Sequence, residues 1–109
     1  MQKRVTLYED GKGREPFTEW LDDLRDNVGR QRILTRVARL EEGHYGDYKP
    51  VGEGVNELRI FFGPGYRVYF GEDGKDIVIL LCGGDKSSQQ DDIRKAKFYW
   101  KEYNKHEKL

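Results

Sequence analysis

Residues 57–70 read ELRIFFGPGYRVYF, and the way this stretch pairs with itself decides the fold. Apolar and polar side chains alternate on both sides of Gly63-Pro64-Gly65, the pattern of two half-buried strands joined by a tight turn. With 63–65 as a three-residue loop, Phe62 pairs with Tyr66, Phe61 with Arg67, Ile60 with Val68 and Arg59 with Tyr69. Leu58, Ile60, Phe62, Tyr66, Val68 and Phe70 then share the core face, because strand side chains alternate with a period of two. Glu57, Arg59, Phe61, Arg67 and Tyr69 share the other face, expected to be an open patchwork of guanidinium groups and rings.

Outward from this hairpin, residues 77–82 (IVILLC) are apolar throughout and predict a strand buried on both faces. Residues 4–8 (RVTLY) predict a short strand that ends at the turn signal EDGKG. A helix is expected from Pro16, with Phe17, Trp20, Leu21 and Leu24 at helical spacing. A second helix, capped by Asn27 and ended by Gly43, buries Ile33, Val37 and Leu40. Residues 44–56 and 83–90 read as glycine-containing loops, with Ser87 and Gln90 as a capping box for a last helix. That helix carries Ile93, Ala96, Trp100 and Tyr103 on one stripe, and the tail 105–109 is expected to fray. The expected fold class is α+β: a small antiparallel sheet, an N-terminal helical hairpin and a C-terminal helix, with the helices on one face.

The 109 residues suit a single domain spanning 1–109. Lys+Arg and Asp+Glu number 20 each, so any basic site must come from local placement and not from net charge. Cys82 is the only cysteine, which excludes an intrachain disulfide and a thiolate metal cluster; within its apolar run it reads as a small buried residue. His44 and His106 stand apart, without ligand spacing, so neither a metal nor another cofactor is expected. No apolar run reaches membrane-spanning length and the N-terminus is no signal peptide, which predicts a cytoplasmic protein with no membrane partner.

Two arginines among rings suit a short single-stranded RNA segment: guanidinium groups hold phosphate, and rings stack bases. A single Arg–ring pair would only solubilise the sheet; two beside glycine-rich loops carry the functional reading. Lys49 precedes the hairpin, and Lys86 lies between the buried strand and the last helix, where it and Ser87 and Ser88 can meet a phosphate. Arg32, Arg36 and Arg39 line one side of the second helix, either as a solvated face or as a contact to a large polyanion.

ELRI, GPGYRVYF, LLCGGDKSSQ, DIRKAKFYW and DGKGREPFTEWL together resemble the phage-derived, Gp49-like "addiction module killer protein" branch of the RelE/ParE toxin superfamily, from about Val5 to Trp100. The resemblance implies a helical hairpin laid against a small antiparallel sheet. It also implies a type II toxin held by a small cognate antitoxin, with mRNA on the ribosome as substrate if it is RelE-like. RelE-like members cleave mRNA without a metal: the 2′-hydroxyl attacks the adjacent phosphate and leaves a cyclic phosphate and a free 5′-hydroxyl. Carried onto this chain, Arg67, Arg59 and Lys86 are the candidate catalytic residues. Lys49, Phe61, Tyr69, Arg32 and Arg36 are the candidate RNA-binding residues. A ParE-like toxin that binds DNA gyrase through the arginine face of the second helix, and an inactive antitoxin-binding relative, remain the alternatives.

Overall fold

The computed structural model describes residues 2–107. Its elements follow in the order β1 (Arg4–Leu7), α1 (Pro16–Asp23), α2 (Asn27–Glu41), β2 (Tyr48–Gly52), β3 (Val55–Ile60), β4 (Tyr66–Asp73), β5 (Ile77–Asp85) and α3 (Gln89–Glu107). The α+β class stands, with five strands in one sheet ordered β1-β5-β4-β3-β2. The sheet is mixed, not purely antiparallel, because β1 runs parallel to β5, with Val5 opposite Val78.

The hairpin register differs from the sequence expectation by two residues. Ile60 pairs with Tyr66, Arg59 with Arg67, Leu58 with Val68 and Glu57 with Tyr69. The connection is five residues long, and within it the Gly65 N–H donates to the Phe62 carbonyl at 3.0 Å. Gly63 and Gly65 both take positive φ there, which glycine tolerates at no steric cost. A slip of two residues keeps every side chain on its face. Leu58, Ile60, Tyr66, Val68 and Phe70 therefore all join the core, with Phe62 partly buried beside them.

Residues 48–52 are a strand, not part of a loop. Pro50 argued against that from sequence, but β2 is an edge strand, where the missing N–H costs no ladder bond. Glu53 and Gly54 turn the chain into β3, both with positive φ, the geometry of a two-residue hairpin. Residues 83–85 likewise continue β5. One extra residue bulges β5 opposite Tyr69 and Phe70, which pair with Cys82 and Leu80.

Helices cover both faces, not one. Phe17 of α1 and Ile33 and Leu40 of α2 pack on Leu58, Val68, Phe70, Val78 and Leu80. Ala96 of α3 packs on the opposite face, against Val55, Tyr69, Ile79, Leu81 and Cys82. A tryptophan closes each layer over a glycine. A Cβ on Gly83 would lie 2.3 Å from the Trp20 ring, and one on Gly71 would lie 2.5 Å from the Trp100 ring.

The cap of α2 is Asp26 in place of Asn27. Its carboxylate accepts from Gly29 N at 2.8 Å and from the Tyr66 hydroxyl at 2.7 Å, tying the helix start to β4. Ser87 caps nothing: Asp85 accepts from the Ser87 N–H at 2.8 Å and from its hydroxyl at 2.5 Å, opening a 3-10 turn over Lys86–Ser88 that leads into α3. The helix runs through 105–107, which were expected to fray; residues 108 and 109 of that tail lie outside the described ones.

Candidate nucleic-acid interface

On the face that carries α3, the helix begins at Gln89, and its first turn meets the sheet at Gly84, against which Asp92 lies. Arg59 and Arg67 stand there as direct cross-strand partners, in a row with Gly84 on β5. Opposite residues on neighbouring strands lie about 5 Å apart, so two like charges sit side by side, an arrangement that favours an anion between them. Each has an acidic neighbour within ion-pair range but beyond hydrogen-bond length: Asp47 Oδ2 is 3.8 Å from Arg59 Nε, and Glu57 Oε2 is 3.6 Å from Arg67 Nε. Neither Nε has a hydrogen-bond partner.

Arg67 is held almost buried, with 12% of its side chain exposed. Its Nη1 donates to the Gly65 carbonyl at 2.8 Å. Arg59 is more open, and its guanidinium lies 5.6 Å from the Phe61 ring centroid, two residues along the same strand direction. Phe61 is 77% exposed, the most open large apolar side chain among the described residues. Lys86 is exposed beside Gly65, and Lys49 is exposed on the edge strand opposite Glu57. Arg59, Arg67, Phe61, Lys49 and Lys86 thus border one end of one face.

Three expected members are elsewhere or otherwise engaged. Tyr69 is fully buried beneath α3 and offers no ring to a base; its hydroxyl donates to Glu57 Oε2 at 3.0 Å. Burial and the Glu57 carboxylate push the Tyr69 phenol well up, so it remains a protonated donor at neutral pH. Arg36, on the opposite layer, donates to the carbonyls of Arg59 at 2.6 Å, Tyr45 at 3.0 Å and Asp47 at 3.1 Å. It pins α2 to the start of β2 and the end of β3. Arg32, also on α2, lies 4.8 Å from the Phe62 ring centroid.

The feature that sequence reasoning missed is Glu57 as a buried carboxylate. It is 0% exposed and is reached by Gln89 Nε2 at 2.8 Å from the first turn of α3. The alternation placed Glu57 on the arginine face. Its burial follows only from α3 crossing that face.

Among the described residues, no three His, Cys, Asp or Glu side chains gather as a metal site, and no helix is long and apolar enough to cross a membrane. Cys82 is buried, and burial pushes its thiol up to about 12, which keeps it an unreactive packing residue at neutral pH.

Residues 19–108 match the model of the family described as phage derived protein Gp49-like (DUF891). The chain is also 48% identical, over 81 residues, to an uncharacterized protein of Haemophilus influenzae; the match covers 74% of this chain and 82% of that relative.

Proposed function

The chain belongs to the Gp49-like phage-derived family, and from that premise we propose that it is the toxin of a type II toxin–antitoxin pair, of RelE/ParE type, acting as a metal-independent endoribonuclease on ribosome-bound mRNA. The observation that carries this reading is the cross-strand pairing of Arg59 with Arg67 at the hairpin end of the sheet. In-line attack of a 2′-hydroxyl on its phosphate builds charge on the equatorial oxygens, and fixed cations at that point lower the barrier. Arg67, held from two sides, supplies the buried contact, and Arg59 the more exposed one. Lys49 and Lys86 flank the strand path, and the exposed Phe61 ring offers a base a stacking surface. A small antitoxin encoded with it would cover this cationic end with acidic side chains.

The gyrase-binding alternative draws on Arg32, Arg36 and Arg39 of α2; Arg36 is spent on three carbonyls, which leaves Arg32 and Arg39 as its exposed members. The test is purified protein on ribosomes programmed with a defined mRNA. Wild type should cut and leave a cyclic phosphate and a 5′-hydroxyl, and Arg67→Ala should cut at least about 10²-fold more slowly. A folded Arg67→Ala protein that cuts at the wild-type rate overturns the assignment.

A further inference from the structure

Glu57 is a carboxylate with no exposure to water, and burying one is costly unless its oxygens are paired. One oxygen is well served: Oε2 accepts from the Tyr69 hydroxyl at 3.0 Å and from Gln89 Nε2 at 2.8 Å. The other is not, because Oε1 is buried without a partner. The Arg67 Nε–H is likewise buried without an acceptor, and it lies 3.6 Å from Oε2, the oxygen already served. That distance is too long for a hydrogen bond and short enough to close with a slight turn of the guanidinium. A carboxylate serving only as a fastener of β3, β4 and α3 would be expected to use both oxygens.

We infer that Glu57 is a positioning residue for Arg67. It attracts the Nε side of the guanidinium while the Gly65 carbonyl takes Nη1, so that the group is held from two sides and keeps an outer edge of N–H donors for a phosphate. When a phosphate engages that outer edge, the guanidinium settles against Glu57 and the open Nε–H gains its acceptor. Catalytic hydrogen bonds that are long in the free protein commonly tighten this way. Glu57 touches no substrate; it acts through Arg67. Tyr69 and Gln89 hold the carboxylate in turn, from β4 and from the start of α3.

The inference rests on the reading that Arg67 works at the scissile phosphate. It is tested with Glu57→Gln, Arg67→Lys and the double variant, in single-turnover cleavage on programmed ribosomes. Arg67→Lys keeps the charge and removes the Nε–H. Glu57→Gln should lower the cleavage rate by about 10²-fold, the cost of a misplaced catalytic group. The half-saturating protein concentration should stay within about twofold, because binding contacts are untouched. The double variant should be no slower than Arg67→Lys alone, since a lysine leaves Glu57 nothing to position. Rate losses that multiply, or a Glu57→Gln protein as fast as wild type, overturn the inference. Should Glu57→Gln fail to fold, Glu57→Asp, which keeps the charge and draws it back by one methylene, takes its place in the same cycle. A second readout is independent of cleavage: the ¹⁵N–¹H resonance of Arg67 Nε should shift and exchange faster with water in the Glu57 variant. An unchanged resonance also overturns the inference. If the wild type cuts no RNA, the ribonuclease reading falls, and the resonance alone decides whether Glu57 holds Arg67.

Discussion

Phe61 and Tyr69 look alike in the sequence, as rings on one open face, and they have opposite fates. Phe61 projects past the end of β3 at 77% exposure; Tyr69 is sealed under α3 at 0%. Alternation assigns a side chain to a face but says nothing of what later covers that face. Alternation put Arg59, Arg67 and Glu57 on one face but could not show that Glu57 is sealed while Arg59 keeps part of its side chain in solvent: Gln89, at the start of α3, reaches the Glu57 carboxylate. Phe61→Ala should leave thermal stability unchanged and weaken binding of a short single-stranded RNA by about 1–3 kcal/mol, the worth of one base–ring stack. Equal RNA affinity for the two proteins in a fluorescence titration would remove Phe61 from the interface.

At the scale of elements, four strands, three helices and the inward faces of 58–70 could be read from hydrophobic period alone. β2 could not, because Pro50 and a Glu-Gly turn are poor strand and hairpin signals, and only its place at the sheet edge makes them acceptable. Nor could the second helical layer. The apolar stripe of α3 was visible, but choosing its face required knowing that α1 and α2 already fill the other one. The glycines of 83–84 look like a loop in sequence and are strand residues that let side chains lie close: Trp20 over Gly83, and the Asp92 carboxylate against Gly84. Gly83→Ala forces the Trp20 ring off the sheet and should cost about 1–3 kcal/mol. A lowered urea midpoint with altered tryptophan fluorescence is the expected result, and a variant identical to wild type in both would contradict this packing.

At the scale of the whole molecule, 20 basic and 20 acidic side chains cancel, and the electrostatics of the chain are local on both faces. One local knot joins layers. The Gly29 N–H and then the Tyr66 hydroxyl hold the Asp26 carboxyl below the usual carboxylate range, while burial and Asp26 push the Tyr66 phenol up to about 12. A carboxyl depressed in the folded state binds its proton more readily when unfolded, so its contribution is present above the unfolded pKa of about 3.9 and is lost as pH falls through the folded value. The stability gap between wild type and Asp26→Asn should therefore narrow as pH is lowered from 6 toward 2 in urea titrations. A gap that stays constant across that range would place the contribution of Asp26 outside its charge. The tie lies at the proposed site, because Tyr66 starts β4 next to Arg67, at the same end of the sheet as the arginine pair.

The most direct test of the proposal that this arginine pair is the working site of a ribonuclease toxin is a transcriptome-wide map of mRNA 5′ ends in bacteria expressing the chain without a partner, beside the Arg67→Ala variant. The account predicts new ends at codon-related positions with growth arrest in the wild type, and neither in the variant. Growth arrest without new ends, or new ends that persist in the variant, would contradict it.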